Sequence, residues 1–221
     1  MPLPSNKEIK AVIFDFGGVF TTSPVANFAV FEKENDLPKN FLGGVIKQNH
    51  HTNAWAQFER SEIDLETFHH AFATETEKAG HKVTGRTLLS LLTLQLREEM
   101  INALMAVKAA GYKTGCITNN MPGINSEQMV YSSQDQLRAA EILTEFDHVI
   151  ESSKVGLRKP EPRIYEMMCE TLGVTAHQCV FLDDLGINLK PAMAMGMTTI
   201  KVSINDVRPA IADLKALLNL D

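Results

Sequence analysis

The sequence predicts an α/β fold: a parallel sheet flanked by helices, with a helical subdomain inserted after the first strand. Three observations carry this expectation. Apolar runs of strand length, among them Ala11-Val12-Ile13-Phe14 and Cys179-Val180-Phe181-Leu182, stand apart from segments with helical spacing of apolar residues. From about residue 98 the strand and helix patterns alternate, which implies right-handed crossovers and a parallel sheet. Between the first strand and that series lie roughly 75 residues of helical character without a convincing strand.

In chain order, residues 11–14 are apolar throughout, as strands covered by helices on both faces are, and Asp15 ends the run before Gly17-Gly18 turn the chain. Ser23-Pro24 suits a helix start, a capping hydroxyl ahead of proline at the first helical position. "AWAQF" (54–58) and "LETFHHAFATETEKAG" (65–80) are amphipathic. This insertion is too long for a simple crossover, so residues 21–97 are expected to form a helical cap over the carboxyl edge of the sheet. Residues 1–20 and 98–221 then make the core. "REEMINALMAVKAAG" (97–111) reads as a helix ending on Gly111, and "YKTGCITN" (112–119) as a strand. "LRAAEILTEF" (137–146) is helical, "DHVIES" (147–152) a short strand, and "PRIYEMMCETLG" (162–173) a helix closing on Gly173. "CVFLDD" (179–184) is a strand ending in carboxylates, "NLKPAMAMG" (188–196) a short helix, "TTIKV" (198–202) the last strand and "DVRPAIADLKALLNL" (206–220) a terminal helix.

Composition narrows the function. Lys+Arg 21 against Asp+Glu 27 leaves a net charge of -6 with no basic stripe, so no nucleic-acid partner is expected. No apolar run reaches membrane-spanning length and "MPLPSNKEIK" carries no secretory or transit pattern, which points to a cytoplasmic protein with no membrane partner. Cys116, Cys169 and Cys179 fall in no metal-ligand spacing and read as reduced thiols packed as small hydrophobes. The pairs His50-His51 and His69-His70 match no metal motif and read as solvated helix residues.

Three strands end in polar groups: Asp15 after "AVIF", Thr118-Asn119-Asn120 after "GCI", and Asp183-Asp184 after "CVFL". A parallel sheet delivers all its carboxyl ends to one edge, so these groups can converge although they are far apart in sequence. Lys159, in "VGLRKPEP", follows the "DHVIES" strand and belongs to the same edge. Clustered carboxylate oxygens suit Mg²⁺, which keeps waters and a substrate phosphate oxygen. The hydroxyl and the ammonium can hold other phosphate oxygens, and a carboxylate so placed can attack phosphorus. Glycines beside it let backbone approach a ligand closely.

"DFGGV", "ITNN", "RKPEP" and "FLDDLGINLKPAMAMGM" resemble, in order and separation, the four motifs of the haloacid dehalogenase superfamily. The resemblance covers nearly all of residues 9–203. It is closest to the phosphatase-like branch represented by the N-terminal domain of soluble epoxide hydrolase and a related domain of acyl-CoA dehydrogenase family members. It implies a Rossmann-like core with a helical cap and a Mg²⁺-dependent phosphatase of small phosphorylated metabolites. Asp15 would be nucleophile and metal ligand, and the Gly17 carbonyl a second ligand. Thr118 and Asn119 would bind the phosphoryl group, Lys159 would stabilise nucleophile and phosphoryl, and Asp184, supported by Asp183, would complete the metal site.

One departure matters. Most phosphatases of this superfamily read Asp-x-Asp, the second Asp serving as acid and base, and here that position is Gly17. Positioned acid-base groups contribute about 10²–10⁴-fold, so turnover is expected to be slow unless Thr21, Thr22, His50, His51 or the substrate itself substitutes. Trp55, four residues after His51, is expected to share its helix face as part of the cap core. Two further readings stay open: a phosphate-ligand or partner-binding domain with weakened turnover, and a metal-independent dehalogenase, against which the Asp183-Asp184 pair argues.

Overall fold

The computed structural model describes residues 8–23, 25–92, 95–120 and 133–220. β1 (Ala11–Phe14), β2 (Lys113–Thr118), β3 (His148–Glu151), β4 (Cys179–Asp183) and β5 (Thr198–Lys201) form one all-parallel sheet in the order β3-β2-β1-β4-β5. β1 is central, with Phe14 opposite Cys116 on one side and Leu182 on the other. One residue further on, the Asp15 amide donates to the Leu182 carbonyl at 2.8 Å, so the first acid leaves the sheet level with Asp183.

Alternation along β1 explains its unbroken apolar run, because both faces are covered. Val12 and Phe14 pack against Met100, Leu104 and Val107 of α6 (Glu98–Ala109) and Leu214 and Leu218 of α11 (Arg208–Leu218). Ala11 and Ile13 face Ile164, Tyr165 and Met168 of α9 (Pro162–Leu172) and Leu189 and Ala192 of α10 (Gly186–Ala194). Each such buried aliphatic or aromatic side chain contributes roughly 1.5–3 kcal/mol relative to exposure. Gly111 and Gly173 stand past the ends of α6 and α9 at positive φ, where the sequence placed C-caps.

A third apolar cluster belongs to the inserted segment alone. Phe28, Leu42, Phe58, Phe68, Phe72 and Leu88 come from α1 (Val25–Glu34), α2 (Phe41–Lys47), α3 (Ala54–Glu59), α4 (Leu65–Lys78) and α5 (Gly85–Ser90). Local chemistry starts these short helices. Asn53 accepts from the Ala56 amide at 2.8 Å, Asp64 from Thr67 at 2.8 Å, and Thr84 from Thr87 at 3.2 Å. The segment joins the core where Thr21 pairs antiparallel with Leu96 and the Thr22 amide donates to the Gln95 carbonyl at 2.8 Å.

The structure differs from the sequence expectation at several points. His50 and His51 are not helical: they lie in a turn between α2 and α3, where Asn49 takes φ 47° and Asn53 caps the next helix. Trp55 therefore shares no helix face with His51, although it packs against the cap cluster as expected. α7 (Ser133–Thr144) begins four residues before "LRAAEILTEF". An unforeseen turn of helix, α8 (Ser152–Val155), follows β3 and ends at Gly156 with φ 68°. α10 starts at Gly186, two residues before the expected start, just after Asp183 Oδ1 accepts the Leu185 amide at 2.8 Å. Pro24, half of the anticipated first helix start, lies outside the described residues. No described helix is long and apolar enough to cross a membrane.

Candidate active site

Asp15 sits at the exit of β1, 7% exposed, and its Oδ1 accepts the Phe16 amide at 2.7 Å. The same oxygen lies 2.6 Å from Lys159 Nζ, which reaches Asp183 Oδ2 at 2.9 Å. Lys159 is 1% exposed, so this ammonium is out of water and depends on its two carboxylates. Asp183 is held in turn. Asn188 Nδ2 donates to both its oxygens at 3.1 and 3.0 Å, and Tyr165 fixes that turn of α10 through a 2.7 Å bond to the Asn188 carbonyl.

The backbone of Lys159 is held as firmly as its side chain. Asn119 Oδ1 accepts the Lys159 amide at 2.9 Å and its Nδ2 donates to the Lys159 carbonyl at 3.0 Å. Asn120 ties the same loop to the start of α8, donating to Glu151 at 2.8 Å and accepting from Ser153 Oγ at 2.8 Å. The exit of β2 thus carries one amide that clamps the lysine and one that clamps the loop before it.

Asp184 completes an acidic group: one oxygen from each of Asp15, Asp183 and Asp184 lies within 4.8 Å of the others. Burial pushes the Asp15 carboxyl well above the usual aspartate value, Lys159 pulls it back, and Asp183 and Asp184 push it up again. Burial, then Asp183, pushes Asp184 up to about 6. Burial opposes the Lys159 charge, but Asp15 and Asp183 outweigh it and hold its pKa above the ordinary lysine value. Three carboxylates against one ammonium leave excess negative charge in a poorly hydrated place. An all-oxygen, net-negative donor set fits a hard divalent cation.

The two glycines after Asp15 differ. Gly18 has φ +77°, and a Cβ there would meet the Asp184 carboxylate at 2.6 Å. Only glycine lets the turn pass so close to that acid. Gly17 is exposed, and a Cβ built on it meets nothing within 4 Å.

The structure therefore brings together Asp15, Asn119, Lys159, Asp183 and Asp184, with Thr118, half-buried, as the last residue of β2. The Asn119 side chain spends both ends on Lys159. Thr21 Oγ1 accepts the Gly18 amide at 3.1 Å and Thr22 Oγ1 the Gln95 amide at 3.0 Å, so both hydroxyls serve the turn and the junction with the cap. His50 meets the core through its carbonyl, which accepts from Arg158 at 2.6 Å. Burial, with His51 and Arg158 nearby, holds its imidazole below the usual histidine value. Sequence reasoning missed Asn188, Arg158 and Glu59. Asn188, buried on an otherwise apolar helix face, carried a readable signal, whereas Arg158 and Glu59 are 99 positions apart and meet only in the folded chain.

Comparison with known proteins agrees with this geometry. The family model for haloacid dehalogenase-like hydrolases matches residues 9–196. Mouse acyl-CoA dehydrogenase family member 10 is 32% identical over 96% of the chain, which spans only 19% of that relative's length. Sesquiterpene phosphatase astK of Aspergillus oryzae is 27% identical over 85% of the chain and 87% of the relative. Among solved structures, a HAD family enzyme of Bacteroides thetaiotaomicron in complex with magnesium and inorganic phosphate superposes with a TM-score of 0.58 at 18% identity, covering 90% of this chain and 96% of the other. At that identity the likeness concerns the fold. The family match takes in all three acids and the lysine, and on it the chain belongs to the haloacid dehalogenase-like hydrolases.

Proposed function

We propose that the chain is a Mg²⁺-dependent phosphatase of small phosphorylated substrates, acting through a phosphoryl group carried on Asp15. The observation behind this reading is the buried contact of Lys159 with Asp15 and Asp183, beside Asp184. Asp15 would attack phosphorus with the carboxylate oxygen not engaged by the Phe16 amide and Lys159. Lys159, held by Asp183 and the Asn119 side chain, would orient that carboxylate and meet the negative charge of the phosphoryl oxygens, with the Thr118 hydroxyl and the backbone of Asn119, at the same edge, as further phosphate contacts. Asp15, Asp184, Asp183 and the Gly17 carbonyl are the proposed metal ligands. Bound there, Mg²⁺ supplies electrostatic relief between nucleophile and anionic substrate. The relatives' names support the phosphatase class. In this reading residues 1–20 and 98–221 are the catalytic core, 21–97 the cap, the setting is the cytoplasm, and the net charge of -6 suits no nucleic-acid partner.

Gly17 gives a second reading its footing. With no side chain to protonate the leaving oxygen, turnover would be slow, and the domain would chiefly bind a phosphate-bearing ligand or partner. Phosphate release from an aryl ester, with and without Mg²⁺, separates the two. Asp15→Asn keeps the shape and removes the nucleophile, so activity is expected to fall to background. Activity that survives in an undeamidated sample rules out the Asp15 route. A wild type without turnover that still takes up beryllofluoride with Mg²⁺ favours the binding reading. Halide release without metal would return the dehalogenase reading.

A further inference from the structure

The residue before Lys159 is also a buried cation, and it is held from the inserted segment. Arg158 Nε and Nη2 each lie 2.6 Å from Glu59 Oε2, and Nη1 donates to the His50 carbonyl at 2.6 Å. Glu59 Oε1 accepts from Trp55 Nε1 at 2.9 Å. Arg158 and Glu59 are 8% and 4% exposed. Glu59 and Trp55 come from α3 and His50 from the turn before it, so all these partners belong to the cap cluster's own segment. Ser61 Oγ donates to the Ser153 carbonyl at 2.7 Å, and Arg60 stands 3.5 Å from Glu161 on the same side. The segment's covalent attachment is elsewhere, at Thr21-Thr22 and Gln95-Leu96.

We propose that Arg158 is a positioning residue through which the seating of the cap sets the place of the Lys159 ammonium. A desolvated guanidinium is tolerated only while its carboxylate stays within hydrogen-bond reach. Lifting the cap away from the core therefore has to break the Arg158–Glu59 contact or drag Arg158 along. One peptide bond further, Asn119 grips the Lys159 amide and carbonyl from the core. The lysine backbone is thus strung between two anchors, one on the cap and one on the exit of β2. With both engaged, Nζ is aimed at Asp15 and Asp183. With the cap anchor released, the segment Gly156–Lys159 keeps Asn119, the 2.8 Å bond from the Glu161 amide to the Arg158 carbonyl and the packing of Leu157, none of which holds the Arg158 side chain, and Nζ loses part of its fixed aim.

The kinetic part of this inference rests on Asp15 and Lys159 being the reacting pair, so the test carries one readout that does not. Glu59→Gln, Arg158→Lys and the paired replacement Glu59→Gln with Arg158→Met are compared, the pair because removing one partner alone strands a buried charge. The first readout is acetylation of Lys159 by an N-hydroxysuccinimide ester in metal-free protein, scored by peptide mass spectrometry against Lys82, an exposed reference. The second is kcat and KM for an aryl phosphate with Mg²⁺. In folded protein the paired variant is expected to acetylate Lys159 about tenfold faster than wild type, with kcat reduced by a similar factor and KM changed less. Arg158→Lys, which keeps the charge but not the fork, should lie between. Lys159 protection equal to wild type in folded Glu59→Gln and Arg158→Lys overturns the proposal. So does a kcat that stays at the wild-type value once the lysine is exposed. If the wild type releases no phosphate at all, the phosphatase reading fails while the acetylation result still decides the coupling.

Discussion

At the scale of single residues, two adjacent glycines make opposite demands. Gly17→Asp places a carboxyl where nothing obstructs its Cβ and where φ is not positive, so the variant is expected to fold normally. If the absent acid limits the reaction, hydrolysis of alkyl phosphates, whose leaving groups need a proton, should rise more than that of aryl phosphates, by up to about 10²–10⁴-fold. An unchanged alkyl-to-aryl ratio in a folded, Mg²⁺-binding variant would assign the proton to another group, with His50 and His51 first to be replaced. Gly18→Ala should behave quite differently. Its Cβ would enter a left-handed φ of +77° and press on the Asp184 carboxylate, costing about 1–3 kcal/mol and displacing that acid. Denaturant midpoints of the two variants, compared with wild type, check the contrast.

At the scale of elements, the cap helices are short and lean on their starting residues. Asn53 accepts the Ala56 amide and donates to the carbonyls of Ile46 and Gln48, so it starts α3 and closes the turn holding His50 and His51. Asn53→Ala is expected to lower stability by about 1–3 kcal/mol in urea unfolding. Asp64 starts α4, and its bond to the Thr67 amide holds the carboxyl below its ordinary value of 3.8. Its folded pKa is the lower one, so its stabilisation is present above that ordinary value and fades as pH falls through the folded one. Asp64→Asn keeps a capping oxygen without the titration, so its unfolding midpoint should depend less on pH in that acid range. These caps also explain what the sequence made legible. α6 and α9 were readable from an apolar pattern with a glycine stop, β1 and β4 from an apolar run with a carboxylate exit, and β2, β3 and β5 from short β-branched runs alternating with helices. The turn at His50-His51 was not, because Asn49 at positive φ and the three bonds of Asn53 override a helical-looking run. At the site, Asp15, Lys159, Asp183 and Asp184 could be placed from topology alone, since a parallel sheet gathers strand ends. The double grip of Asn119 on Lys159 and the Arg158–Glu59 contact could not, because they depend on side-chain reach between segments remote in the chain.

At the scale of the whole molecule, three acids gathered around one ammonium repel one another, and under the proposed function a bound cation relieves that repulsion. Mg²⁺ is expected to raise the melting temperature of the wild type by mass action. Asp184→Asn, nearly the same shape with one charge fewer, should melt higher than wild type in chelator and respond little to Mg²⁺. A variant that melts lower in chelator would show that the acid cluster does not oppose folding. The sheet order bears on synthesis as well. β1 precedes both its sheet neighbours in the chain yet occupies the middle position, between strands that begin at residues 113 and 179. At ribosomal speeds of ~5–20 residues per second, its four bare apolar side chains wait on the order of ten seconds or more for their second neighbour. The α1–α5 segment emerges inside that interval with an apolar cluster of its own to close, and β1 has none. The flank of β1 that meets β4 therefore stays unpaired until residue 179 has been made, long after β2 can cover the other.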